Sequence, residues 1–344
     1  MPFPRQELLA MSKFHEIEFY KPPQTSSYTL LPLRFTPLDP DHYVVTNLAG
    51  EYLRLKSGTL ADFLRHKLSN EDPNYIELRA RHFLIDETSS IAPELLALKL
   101  RTKYSRLSEF TGLHLFVVTL RCEHSCPYCQ VSRQSEDKLR YDMSPEIALG
   151  ALDLTFRSPS QNIKIEFQGG EPLLNFDLIK YIVLEAKRRN QHSGKNLAFV
   201  IATNLALINR DILQFCREHS ILISTSLDGP QALHNTNRPR PGDNSYEKTI
   251  EGIQTVREML GRDQVSALMT TTEASLDCVE SIVDEYLAQD FKGIFLRPLS
   301  PYGFAIKTKA YRAYNAERWL EFYKQGLHYI IELNRRGIEF MEYY

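Results

Sequence analysis

A stretch long enough to cross a bilayer is missing from these 344 residues. A membrane helix needs roughly 20 consecutive apolar residues, and among the longest apolar runs is 113–120, so a membrane role is not expected. A secretory signal is missing too. The opening MPFPRQELLAMSKF has no apolar core, which makes the cytoplasm the expected location. Its first ten residues show no clear element, and Met11 is an alternative start. Charge of one sign is lacking: 41 Lys and Arg face 43 Asp and Glu, for a formal charge of −2. Nothing in that balance suits a polyanion, so no nucleic-acid partner is expected. Cysteine is scarce, with five in all, three of them inside residues 122–129. A disulfide framework would be spread more evenly through a smaller secreted chain. Cys216 and Cys278 sit in helical-looking stretches and read as buried small hydrophobes. Solenoid repeats and low-complexity tracts are absent as well.

What is present is an ordinary globular composition, 43% hydrophobic and 24% charged, able to build a large core. The length suits one large domain plus a smaller one. Residues 28–100 read as a small α+β domain. Short strands are expected at 31–35, 43–48 and 51–56, with Ala49-Gly50 turning between the last two. Helices follow over 60–68 and 74–84, and 91–110 reads as a connector with helical character. From His114 the pattern changes. Strand-like apolar runs at 115–120, 163–167, 197–203, 221–227, 265–272 and 293–299 alternate with helical stretches at 145–157, 176–189, 210–219, 246–260 and 276–289. A long helix, 316–335, follows. That alternation argues for six parallel βα units across a second domain, 111–337. Six are too few for a closed eight-fold barrel and suit an open partial barrel or a doubly wound sheet. Residues 234–244 (HNTNRPRPGDN) form the clearest long loop.

The polar signatures fall on one edge, the C-terminal ends of these strands, where βα folds build their sites. Strand one runs into Arg121-Cys122-Glu123-His124-Ser125-Cys126-Pro127-Tyr128-Cys129, and strand two into Gln168-Gly169-Gly170-Glu171-Pro172. Strand three ends in Thr203-Asn204 and strand four in Ser226-Leu227-Asp228-Gly229-Pro230. Thr270-Thr271-Thr272 and Arg297-Pro298 close the fifth and sixth. Thiolates are soft ligands for iron–sulfur clusters, zinc or copper(I). A four-iron cubane takes four cysteines, and here three are close, which implies one iron with an open position. The alternative is zinc, with His124 or a distant histidine as fourth ligand. The ten histidines are otherwise scattered without metal spacing, His114, His219 and His328 reading as structural or exposed, and Trp319 with the aromatics of the last helix reads as core packing.

CxxxCxxC with Tyr128 before the last cysteine resembles the cluster loop of radical S-adenosylmethionine (SAM) enzymes. That resemblance implies a partial (β/α)6 barrel with a 4Fe-4S cluster on Cys122, Cys126 and Cys129. It further implies SAM chelated to the open iron, then cleaved by one electron to a 5′-deoxyadenosyl radical that takes hydrogen from an unreactive C–H bond. Gly169-Gly170-Glu171 resembles the family's GGE motif, which implies close backbone approach to the cofactor and a carboxylate for its ammonium. Ser226, Asp228 and Arg238 resemble the matching stretch of the SAM-dependent peptide and sulfatase maturases. Ser226 is then expected at the ribose or methionyl carboxylate, with Asp228 and Arg238 lining the site. Thr203-Asn204 resembles that group's third-strand motif.

Beyond the motifs, FVVTLRCEHSCPYCQVSRQS, EFQGGEPLLNF, IATNLA, STSLDGPQALHNTNRPRPG and FLRPLSPYGFA are similar to the B-type radical SAM maturases of the His-Xaa-Ser system, as are LPLRF and NLAGEYLRLKSGT. This implies a ribosomally made peptide or protein substrate bearing His-Xaa-Ser repeats, a second radical SAM protein as companion, and an electron donor. The N-terminal domain is similar to winged-helix-like units in which a leader peptide adds as a strand to a sheet edge; its alternative is a cap that only stabilises the barrel. Family members often continue into a cysteine-rich auxiliary-cluster region, and no cysteine follows Cys278. The expectation is either a truncated form or an enzyme without auxiliary clusters. Two competing readings are a zinc-stabilised peptide-binding module and a radical SAM enzyme acting on a small molecule or RNA.

Overall fold

The computed structural model describes residues 27–88, 91–308 and 314–343. The first ten residues and Met11 lie outside the described residues. The chain divides after Ser108 into two compact units.

In the first unit, β1 (Tyr28–Leu30) pairs antiparallel with β5 (Leu84–Asp86). Strands β2 (Leu33–Pro37), β3 (His42–Asn47) and β4 (Tyr52–Lys56) form an antiparallel meander. The β3–β4 turn needs Gly50, whose φ of +94° an L side chain rarely adopts. Asn47 fixes that turn by accepting from the N–H groups of Ala49 and Glu51. Helices α1 (Ser57–Leu64) and α2 (Pro73–Ala80) close a core of Val45, Leu55, Leu60, Phe63, Leu78 and Phe83. The helix expected over 74–84 stops four residues early. His82 turns left-handed (φ +61°) and sends Leu84 into β5 instead. Helix α3 (Ala92–Lys103), read above as part of a connector, belongs to this unit.

In the second unit, β6 (Leu113–Thr119), β7 (Asn162–Gly169), β8 (Asn196–Ala202), β9 (Ile221–Ser226) and β10 (Val265–Leu268) form one parallel sheet in sequential order. The helices between them are α4 (Pro145–Phe156), α5 (Phe176–Ser193), α6 (Arg210–Glu218), α7 (Gln231–Asn237) and α8 (Ser245–Leu260). Helix α9 (Val279–Ala288) follows β10, and α10 (Ala316–Arg335) comes later. The α/β class and the parallel sheet are those expected. Alternation decides which way each strand faces: Phe116 and Val118 of β6 enter the core, whereas Leu113, Leu115 and Val117 remain exposed. Helix α5 buries Leu178, Ile179, Ile182, Val183 and Ala186, one helical face. Gly194 ends it in the left-handed conformation. Each fully buried aliphatic side chain contributes about 1.5–3 kcal/mol, so this core carries the unit.

Three expectations change. The sixth strand shrinks to β11 (Gly293–Ile294), which pairs with β12 (Met341–Glu342) and not with β10. A Cβ on Gly293 would lie 2.6 Å from Met341 O, so glycine admits that neighbour. Beyond it, Arg297 O accepts from Thr271 N, and Pro298 has no N–H to continue a ladder. The loop expected over 234–244 starts as helix, because α7 runs to Asn237. Its inner face buries His234 and Asn237, and that tertiary anchor overrides the loop-like composition. Cys216 is buried as expected. Cys278 is only half-buried, just ahead of α9, and Trp319 packs against the core.

Candidate active site

The cysteine loop leaves β6 and is fastened at its base. Arg121, nearly buried, donates to both carboxylate oxygens of Asp142, at 2.7 and 2.8 Å, and to Leu174 O at 2.7 Å. Thr119 Oγ1 donates to the same carboxylate at 2.6 Å. A two-pronged Arg–carboxylate pair shielded from water is strong and directional. The far limb of the loop returns where Gln134 N donates to Leu120 O. Between these anchors Cys129 N donates to Cys126 O, and Ser125 N to Pro239 O. Composition gave no hint of the Arg121–Asp142 pair.

Gly169 and Gly170 bring β7 against this loop. A Cβ on Gly169 would lie 2.3 Å from Thr119 O, and one on Gly170 2.1 Å from Arg121 O and 2.9 Å from Cys122 Cβ. Gly170 N donates to Thr119 O and Glu171 N to Arg121 O. The pair of glycines therefore seats the cysteine loop. Gly303 does the same from the other side: its Cβ would meet Cys129 O at 2.4 Å, and Phe304 N donates to that oxygen. We expect Gly170→Ala to cost about 1–3 kcal/mol by overpacking against backbone. Gly150→Ala, facing open space inside α4, should instead stabilise by about 0.5–1 kcal/mol. Thermal melts of both variants check this contrast.

One cavity collects most of the expected residues. Cys122, Cys126, Cys129, Gly170, Thr203, Asn204, Ser226 and Arg238 all line it, beside Glu166, Gln168, Thr225, Thr270 and Arg297. Gly169, Glu171 and Asp228 do not. Glu171, expected at a cofactor ammonium, is fully buried. Its Oε1 accepts from Thr203 Oγ1 (2.7 Å) and Leu173 N (3.0 Å), and its Oε2 from Asn204 N (2.9 Å). It braces the end of β8 against the turn after β7. Burial, then the nearby Glu123 carboxylate, push its pKa up to about 8.

Asp228, expected on the cavity wall, lies wholly behind it. It accepts from Arg238 at 3.0 and 3.2 Å, from Thr270 N at 3.2 Å and from the Tyr128 hydroxyl. Arg238 also stands over the Tyr128 ring. Tyr128, between two cysteines, thus ties their loop to the end of β9. Burial works against the Arg238 charge, but Asp228 outweighs it and holds the guanidinium firmly protonated.

The histidines matter more than their spacing suggested. His124 and His234 are buried on either side of the Ser245 hydroxyl, at 2.8 and 3.1 Å. Burial holds His234 far below its ordinary value, at about 3. The unfolded chain takes up this proton near pH 6.5, and the folded chain only near 3. The neutral ring's contribution is therefore complete above pH 6.5 and is lost as pH falls toward 3. This group should remove up to about 1.4 kcal/mol of stability per pH unit in that window. His234→Gln should flatten the acid limb, read as the melting temperature at pH 7 against pH 5.5.

Three half-buried thiols facing one cavity form a soft donor set. Burial pushes the Cys122 thiol well up and the Cys126 thiol to about 11, so a metal group would displace protons on binding. The cysteines therefore fit an iron–sulfur group. For zinc, Cys122, Glu123 and His124 also lie close together. Both His124 ring nitrogens already have protein partners, Ser245 on one side and Glu123 with Asn204 on the other.

Residues 116–285, from β6 into α9, match the model of the radical SAM superfamily. The chain carries a radical SAM domain. An uncharacterized protein of Methanocaldococcus jannaschii is 32% identical over 190 residues, covering 55% of this chain and 63% of that protein. The cysteine-type anaerobic sulfatase-maturating enzyme of Clostridium perfringens is 24% identical over 203 residues, covering 55% of this chain and 54% of the enzyme. The chain thus spans less than two thirds of the length of these relatives. The fold of this radical SAM domain is also that of Streptococcus suis SuiB bound to S-adenosylmethionine. That structure superposes with a TM-score of 0.52 at 16% identity, over 92% of this chain and 72% of SuiB. Among the described residues no helix is long and apolar enough to cross a membrane.

Proposed function

We propose that this chain is a radical SAM maturase that modifies a side chain of a peptide partner carrying His-Xaa-Ser repeats. In this reading Cys122, Cys126 and Cys129 hold a 4Fe-4S cluster, and SAM occupies the cavity beside them. The observation that carries it is the shared cavity: three thiols meet a guanidinium, two hydroxyl-bearing strand ends and a glycine-lined wall at one edge of a parallel sheet.

When bound, the cluster and SAM supply one-electron cleavage of a sulfonium and hydrogen abstraction from an unactivated C–H bond. The protein's residues orient and shield. Arg238, clamped by Asp228, presents fixed positive charge to a carboxylate. Ser226, whose hydroxyl has no partner among the described residues, is free to meet a ribose or carboxylate oxygen. Asn204 and Thr203 spend their side chains on Glu123 and Glu171 and so hold the wall in place. Tyr128, Leu299 and Ala305 pack beneath Cys126 and exclude water from that side.

The domain over 28–100 is proposed to recognise the peptide by strand addition, a role its β2–β3–β4 meander supports because β2 and β4 are edge strands. A companion radical SAM protein, an electron donor and a cytoplasmic setting complete the proposal. Co-expression with a His-Xaa-Ser repeat protein, followed by mass spectrometry of that protein, tests it. A mass change that depends on Cys122 is expected. An unmodified repeat protein, with the cluster and SAM cleavage intact, would move the reading to another substrate.

A further inference from the structure

Behind the cavity, side chains from three separate segments form a continuous line of hydrogen bonds. The backbone N–H of Asp228 donates to His234 Nδ1 at 3.2 Å. A ring nitrogen that accepts carries no proton, which leaves His234 Nε2–H to donate to Ser245 Oγ at 3.1 Å. The same hydroxyl lies 2.8 Å from His124 Nε2. His124 Nδ1 lies 3.1 Å from Glu123 Oε1 and 2.9 Å from Asn204 Nδ2, which also donates to that carboxylate oxygen at 2.8 Å. Both nitrogens of each ring are thus held by partners inside the protein. His124, Ser245 and His234 are 2, 1 and 0% exposed, so water does not compete for these bonds. At the near end, the peptide N–H of His124 lies 3.4 Å from Cys122 Sγ and points at it.

We propose that this line sets the reduction potential of the cluster by holding the His124 N–H on the Cys122 sulfur. The inference rests on Cys122 being a cluster ligand. An N–H dipole aimed at a ligand sulfur favours the more negative, reduced state, and hydrogen bonds to the sulfurs are one of the protein's levers on cluster potential. Ser245 and His234 are positioning residues: each acts through the His124 ring, which cannot tilt while both its nitrogens are held. Without the Ser245 hydroxyl, two buried imidazoles lose a partner and the ring regains its freedom.

The test uses the full chain, reconstituted anaerobically as wild type, Ser245→Ala and Ser245→Thr. Iron and sulfide are measured first, then the midpoint potential by titration followed with electron paramagnetic resonance. Ser245→Ala should keep its cluster yet show a lower potential. At the wild-type midpoint its reduced-to-oxidised ratio should fall roughly threefold to tenfold, tenfold being about 59 mV for one electron. Ser245→Thr, which restores a hydroxyl, should return toward wild type. A full cluster with unchanged potential in Ser245→Ala would overturn the inference and leave the cluster assignment standing. Wild-type protein that takes up no iron would overturn both. If Ser245→Ala fails to fold, His234→Phe breaks the same line one link farther from the thiol and decides the question by the same measurement.

Discussion

Replacing Cys126 by Ala should remove the iron–sulfur group almost completely. Wild-type protein reconstituted without oxygen should carry about four irons and four sulfides per chain. Cys126 stands between the other two cysteines in sequence and packs against the small cluster of Tyr128, Leu299 and Ala305. On the proposed assignment only two ligand cysteines would then remain, and iron content should fall several-fold. SAM cleavage should drop to background. The fold should survive, because Cys126 is no part of the main core and an alanine there leaves the Arg121–Asp142 and Tyr128–Asp228 fastenings in place. Cys216→Ala is the control: that thiol sits in the core between the sheet and its helices, and its loss should cost stability as a small cavity does without touching iron content. A Cys126→Ala protein with full iron and sulfide would contradict the ligand assignment.

The second large effect is structural. Asp228→Ala should destabilise the domain by about 3–5 kcal/mol, the cost of leaving one member of a buried ion pair unpartnered. Its removal strands the Arg238 guanidinium, the Tyr128 hydroxyl and the Thr270 N–H together. For a domain of this size that corresponds to a fall in melting temperature of roughly 6–20 °C. Because Tyr128 carries the cysteine loop, the slack should spread to the site, and SAM affinity should fall along with stability. Lys248→Ala, breaking an exposed helical pair with Glu251, should change stability by less than about 0.5 kcal/mol. A melting temperature for Asp228→Ala within a degree or two of wild type would show that the Asp228–Arg238 pair does not hold the domain together.

The chemistry of this chain was legible where it is local. CxxxCxxC is confined to eight residues, and its position after an apolar run that becomes β6 could be read directly. The same holds for Gly169-Gly170 at the end of β7 and Thr203-Asn204 after β8, since parallel βα units put such residues on one edge. What escaped reading depends on partners far apart in sequence. Glu171 looked like a residue for a ligand, yet its carboxylate is spent on Thr203 and Asn204, some 30 positions away. Asp228 looked like a wall residue, yet Tyr128, 100 positions earlier, draws it inward. His124 and Ser245 meet across 121 positions, and His124 came forward only as an alternative zinc ligand, not as a partner of Ser245. The sixth strand failed for a similar reason: its partner is β12, near the end of the described chain, and periodicity cannot reveal a partner. Helix α7 was hidden by the Asn and Pro content of its surroundings, a local signal that burial of His234 and Asn237 overrode.

The most direct measurement is the electron paramagnetic resonance spectrum of the reduced, reconstituted protein, recorded without and then with SAM. If three thiolates leave one iron open within the shared cavity, SAM binds to that iron and the g-values move, while Arg238→Ala weakens the change. A spectrum indifferent to saturating SAM, or a purified metal content of one zinc and no iron, would contradict the account.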